Sequence, residues 1–175
     1  MNGRLQHIVV MGVSGSGKTT VGEALAERLG WRFIEGDSFH PPQNVAKMSA
    51  GIPLDDDDRA PWLKALAAEI ARDEAAGRSS VLGCSALKRA YRDILRSGAP
   101  RVRFVHVHGD RAVLADRLSH RAGHFFPASL LESQLAALEP LGPDEDGVVV
   151  DVALSTTEQV DLAVRALAID PTSAD

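Results

Sequence analysis

The chain predicts an α/β fold in which helices cover a parallel sheet, and three observations carry that expectation. Ile8-Val-Val-Met11 is a short apolar run that passes directly into a glycine-rich turn, Gly12 to Lys18. Beyond the turn, Val21, Leu25 and Leu29 recur at helical spacing, so strand, loop and helix follow one another in that order. Later apolar runs, Ser80 to Cys84, Val102 to Val107 and Val148 to Asp151, alternate with helical segments as a parallel sheet requires.

The glycine-rich turn is the most specific stretch of the chain. Gly12, Val13, Ser14, Gly15, Ser16, Gly17, Lys18 and Thr19, with Thr20 behind them, fit G-x-x-x-x-G-K-[ST]. In that motif the backbone N–H groups and the N-terminus of the next helix cradle a polyphosphate. Lys18 is placed to reach the β- and γ-phosphates, and the Thr19 hydroxyl to ligate the Mg²⁺ that neutralises them. A nucleotide-phosphate site follows. The motif alone does not separate a kinase from a GTPase switch or an ATP-driven machine.

The remaining elements read in order. Gly30 suits a helix C-cap, and Trp31 to Ile34 a second strand that ends at Glu35-Gly36-Asp37, where a carboxylate could face the phosphate loop. Phe39-His40-Pro41-Pro42 breaks the chain, leaving a short helix over Asn44 to Ala50. Asp55 to Asp58 reads as a solvated acidic loop, and Pro61 as the first turn of a helix that buries Trp62, Leu66 and Ile70. His40, Lys47 and Arg59 lie in a stretch with little apolar content, which suits a substrate lining better than packing. Lys88 and Arg89 open a helix where cations oppose the dipole, a placement that makes sense beside an anion. Arg117 and Arg121 share one edge of a helix from Arg111 to Arg121 and can reach one nucleotide. A second helix, Ala128 to Leu138, completes a hairpin resembling a lid over about 121–140. Ser155-x-x-Glu158 has capping-box spacing for the last helix.

At 175 residues and a net charge of −5, the chain fits one domain with its own core and gives no global sign of nucleic-acid binding. Its single cysteine, Cys84, excludes an internal disulfide framework. No apolar run approaches a membrane span and no signal peptide is evident, so a cytoplasmic enzyme with no membrane partner is expected. Asp144-Glu145-Asp146-Gly147 mimics a GTPase D-x-x-G but precedes its strand, and no N-K-x-D occurs.

Taken together, the blocks Gly12 to Thr19, Glu35-Gly-Asp37 with His40-Pro41, Asn44, Lys47-Met48, Gly51 to Leu54, Asp57 to Leu63, Cys84 to Arg89, Tyr91-Arg-Asp93, Arg121 to Phe125 and Leu138-Glu-Pro140 resemble the gluconokinase family, P-loop kinases related in fold to shikimate kinase and nucleoside-monophosphate kinases. The resemblance implies a three-layer αβα sandwich with a five-stranded parallel sheet in order 2-3-1-4-5, a helical lid, and ATP-dependent phosphorylation of D-gluconate at its 6-hydroxyl. It implies Asp37 as the group that orients and deprotonates the hydroxyl, and Lys18 and Arg121 as stabilisers of the transferring phosphoryl group. Arg117 would lie against adenine or its phosphates, and His40, Lys47, Arg59, Lys88 and His124 would line the gluconate site. Cys84-Ser85 stands where many relatives of this fold carry a Walker B aspartate, so Mg²⁺ is expected on Thr19, phosphates and waters, with Asp37 in an outer shell. Homodimerisation is a family-level expectation. Competing readings are a same-fold kinase for shikimate, another aldonate or a nucleoside monophosphate, and a nucleotide switch without transfer.

Overall fold

A computed structural model describes residues 4–120 and 128–169. Five parallel strands, β1 (His7–Met11), β2 (Arg32–Glu35), β3 (Ser80–Gly83), β4 (Val102–His108) and β5 (Gly147–Asp151), form one sheet in the order β2-β3-β1-β4-β5. The central strand β1 pairs in parallel with β3 on one side and β4 on the other, His7 opposite both Ser80 and Val102. Every residue of β1 is buried, as its unbroken apolar run requires of a strand covered on both faces.

Alternate residues of the strands feed two separate cores. Ile8, Val10, Val81, Val105 and Val107 pack under α1 (Lys18–Leu29), α5 (Arg111–Ser119), α6 (Ala128–Ala137) and α7 (Thr156–Ala166). Val9, Met11, Leu82 and Phe104 face α3 (Asp56–Ala75) and α4 (Arg89–Arg96) on the opposite side. The three-layer sandwich in the expected strand order is therefore present. A short helix α2 (Pro42–Ser49) bridges β2 and α3.

Helix ends follow local chemistry. Gly30 closes α1 in left-handed backbone, and Ser155 and Glu158 form the capping box of α7. Two expectations need correction. The acidic run is not a solvated loop: Asp55 is the N-cap of α3, paired with Asp58 in a reciprocal capping box, and Asp56 to Asp58 fill the first turn, where carboxylates favour the helix dipole. Because α3 starts at Asp56, Pro61 lies inside the helix rather than in its first turn.

Elsewhere the bounds shift by a residue or two. Pro42 initiates α2 ahead of the Asn44 start read from sequence, and α5 ends at Ser119. The N-cap of α4 is Lys88. No helix among the described residues is long and apolar enough to cross a membrane.

Candidate active site

The site is assembled at the carboxyl ends of β1, β2 and β3, where open α/β sheets collect ligands. The phosphate loop leaves β1 at Gly12 and delivers the chain to α1 through Gly17, whose left-handed backbone caps the helix without a side-chain hydrogen bond. The first N–H groups of α1 thus face outward at the positive end of the helix dipole. Gly15 also sits in left-handed backbone, and a Cβ there would lie 2.9 Å from Leu118. Ser16 is fully buried, and its hydroxyl lacks a hydrogen-bond partner among the described residues. Lys18 is 8% exposed, more enclosed than the solvent-facing lysine a bare loop suggests.

Glu35, Gly36 and Asp37 divide three tasks at the end of β2. Glu35 accepts a hydrogen bond from the Thr19 hydroxyl at 2.9 Å and, through its other oxygen, from the Asp37 N–H at 3.4 Å. Gly36 passes so close to β3 that a Cβ would lie 2.3 Å from the Gly83 carbonyl oxygen, which excludes any other residue there. Asp37 then turns into a cavity of about 450 Å³ that Lys18, His40, Arg59, Trp62 and Gln134 also line. The neighbouring end of β3 offers Cys84, buried and with its thiol pushed up to about 12 by that burial against opposing help from the Ala86 backbone and Lys18. No carboxylate stands at that strand end, so Glu35 is the acid in contact with Thr19.

The far wall of the cavity is built from the segment that sequence reading marked as non-packing. His40 stacks on Trp62 with ring centroids 4.0 Å apart, and the Trp62 indole donates to the Gly36 carbonyl at 2.8 Å. Burial lowers the His40 pKa, Asp37 opposing and Arg59 reinforcing the shift, so the ring is neutral at pH 7. Arg59 donates to the Leu54 carbonyl at 2.6 Å and to the Tyr91 hydroxyl at 3.3 Å.

A second cavity of about 470 Å³ adjoins the first and shares Leu54, Arg59, Ser133 and Gln134 with it. Lys88 lines this second space and pairs with Asp56 at 3.2 Å. The Arg59 and Lys88 cations lie 5.5 and 5.6 Å from the centre of the Tyr91 ring, whose hydroxyl donates to Asp56.

The structure gathers Lys18, Asp37, His40, Arg59 and Lys88 along one cleft and leaves Lys47 out of it. The Lys47 ammonium instead holds Asp58 at 2.8 Å, tying α2 to the start of α3. Arg117 lies beside the phosphate loop, 3.8 Å from where a Gly17 Cβ would be, and donates to the Val152 carbonyl. Arg121 and His124 fall outside the described residues.

The anions beside Lys88 and Arg89 are the protein's own, Asp56 for the first and Asp144 for the second. Arg92 is fully buried against Glu145 and withdraws from any substrate role. Sequence reasoning missed Gln134 and Asp56 as cleft residues. Their signals, a glutamine on an amphipathic helix and an acidic run, are common on ordinary surfaces.

Comparison with known proteins accords with this geometry. A family described as AAA domain matches residues 8–141. A gluconokinase of Gluconobacter oxydans (strain 621H) is 60% identical over 139 residues, 79% of this chain and 78% of its own. The crystal structure of a sugar kinase from Janibacter sp. HTCC2649 superposes with a TM-score of 0.92 at 50% identity, covering 98% of this chain and 99% of the other. That of a gluconokinase from Sinorhizobium meliloti 1021 gives 0.84 at 54% identity, covering 94% and 93%.

Proposed function

The chain belongs to the gluconokinase family, and we propose that it transfers the γ-phosphoryl group of ATP to the 6-hydroxyl of D-gluconate in the cleft between the phosphate loop and the Asp37 to Arg59 segment. The observation that supports this reading is the cavity that Lys18 and Asp37 line together, which brings the phosphate-loop lysine and a carboxylate to one space.

Phosphoryl transfer needs positioning and charge stabilisation more than covalent help from the protein. Asp37 orients the 6-hydroxyl and takes its proton as the oxygen attacks phosphorus. Lys18 and the N–H groups at the start of α1 hold the equatorial oxygens as ADP departs. Arg121, from the lid, is the second cation for that charge, and Arg117 flanks the nucleotide beside Gly17.

At the other end of the substrate, Arg59 and Lys88, both beside the Tyr91 ring, would meet the carboxylate, and neutral His40 would offer its ring edge to hydroxyls. His124 and Lys47 belong to the same lining by family resemblance, and the Lys47 ammonium also ties α2 to α3 through Asp58.

Mg²⁺ fits the donor set at Thr19. A hydroxyl and the Glu35 carboxylate are hard oxygens 2.9 Å apart, and this ion binds through few protein oxygens while keeping waters and phosphates. When bound, the ion neutralises charge on the β- and γ-phosphates. The protein's part is to aim Thr19, with Glu35 doing the work that a Walker B aspartate does elsewhere. A lone, fully buried thiol accords with a cytoplasmic setting.

The test is ADP release by the purified protein with D-gluconate, other aldonates, shikimate and AMP as acceptors. Gluconate is expected to give the highest kcat/KM. Turnover with another acceptor and none with gluconate above the ATPase background would replace this reading with a same-fold kinase of different specificity.

A further inference from the structure

Gln134 touches three parts of the machinery at once. Its Oε1 accepts the Ser14 backbone N–H at 2.6 Å, and its Nε2 donates to the Ser14 hydroxyl at 2.9 Å. The same side chain lines both the cavity with Lys18 and Asp37 and the cavity with Lys88. A residue 120 positions away in sequence is thereby clamped on the leading turn of the phosphate loop by two directed bonds.

The helix that carries Gln134 has little else to hold it. In α6 only Leu131 is fully buried among the side chains described, Leu130 and Leu135 are half-buried, and the Glu132 ion pair with Arg111 is exposed. An element with so few buried apolar contacts opens at low cost, so two hydrogen bonds form a large share of its attachment. Yet α6 supplies Leu130, Ser133 and Gln134 to the cleft wall, facing Val45, Met48 and Ile52 across the space where the acceptor must sit. Those three apolar side chains are partly exposed at the mouth and make no hydrogen bonds to sugar hydroxyls. Their fitting role is to keep water out once the opposite wall is in place.

We infer that Gln134 is a positioning residue, a latch that holds α6 against the phosphate loop so that the γ-phosphoryl group passes to the bound acceptor rather than to water. The inference rests on the gluconate kinase reading and deepens it. With the latch released, a water oxygen attacks phosphorus in place of the 6-hydroxyl, the bond to ADP breaks, and inorganic phosphate forms while the water's proton leaves to solvent. Gln134 need not touch the reacting atoms for this. It acts through Ser14 and through the wall it anchors, so its loss should spare ATP binding.

Gln134→Met keeps length and bulk while removing both bonds. Turnover with gluconate is expected to fall about tenfold, the scale of one to two neutral hydrogen bonds, with the ATP KM changed less than about twofold. The decisive readout is the ratio of ADP formed to phosphorylated gluconate formed in the same reaction, expected to be one in the parent protein and clearly above one in the variant. A ratio that stays at one would overturn the inference, however far turnover falls, because loss of packing alone lowers both products together. Should the Met variant not fold, Gln134→Asn carries the same test, since it keeps the amide but is one methylene too short to reach Ser14. A parent protein without gluconate-dependent ADP release would remove the gluconate reading, whereas a tightly coupled parent beside an equally coupled variant removes the latch alone.

Discussion

Two acidic runs, Asp55 to Asp58 and Asp144 to Asp146, each gather basic side chains, but they do so in opposite environments. In the second run Glu145 is 1% exposed and binds Arg92, which is 0% exposed, while Arg96 donates to the same carboxylate and Arg92 also donates to the Ala86 and Leu87 carbonyls. Both Glu145 oxygens are bonded to Arg92, so the cluster ties the approach to β5 onto α4. In the first run Asp56 is 66% exposed and Lys88 35%, and their ion pair borders a cavity. Paired acids and bases thus serve as scaffold where they are buried and held by several hydrogen bonds, and line a cavity where they remain wet and exchangeable.

The largest expected effect breaks the scaffold side of that contrast. Glu145→Ala leaves Arg92 buried without its carboxylate, and chemical denaturation should show a loss of about 3–5 kcal/mol. A loss below about 1 kcal/mol would mean the buried pair is not what holds β5 and α4 together. Next in size, Asp37→Asn should lower turnover by about 10²-fold, the usual scale for a general base, with ATP binding and melting temperature kept. Full activity at ordinary Mg²⁺ would return Asp37 to a plain turn residue.

Lys88→Ala sharpens the site side. The gluconate KM should rise about tenfold while stability stays within about 0.5 kcal/mol, since an exposed pair contributes little to folding. An unchanged KM with a large drop in stability would reverse the assignment of the two clusters.

The smallest effect is a pH dependence with two limbs. Burial, reinforced by His108 and Arg92, lowers the His106 pKa from 6.5 to about 4. The unfolded chain then takes up a proton that the folded state refuses, so this contribution is whole above pH 6.5 and declines as pH falls toward 4. Burial pushes the Glu145 carboxyl up, but hydrogen bonds from Arg92, the Gly142 N–H and Arg96 outweigh it and bring the pKa from 4.5 down to about 2. That contribution is present above pH 4.5 and lost toward pH 2. Denaturation midpoints measured against pH should show His106→Leu flattening the upper limb and Glu145→Gln the lower. An upper limb unaltered in His106→Leu would assign it to other groups.

The sheet, its order and the phosphate loop were legible because their signals are local or carried by many motif blocks. Val9 and Val10 must both be buried, and Gly12 to Thr19 has few other uses. The acidic run misled because the capping partner of Asp55 is Asp58, which reads equally well as one more solvated charge. Lys47 and Arg59 look alike in sequence, and only folding shows that Lys47 pairs with Asp58 while Arg59 lines the cavity. Gln134 was invisible for a different reason. Its partner Ser14 lies 120 residues away, and no periodicity records a contact between α6 and the phosphate loop.

A phosphorus–proton correlation spectrum of the product reads directly where the phosphoryl group arrives. After incubation of the protein with ATP, Mg²⁺ and D-gluconate, the new phosphate ester should couple to the two methylene protons at carbon 6. Coupling to a single methine proton, or inorganic phosphate as the sole new signal beside ADP, would contradict transfer to the 6-hydroxyl.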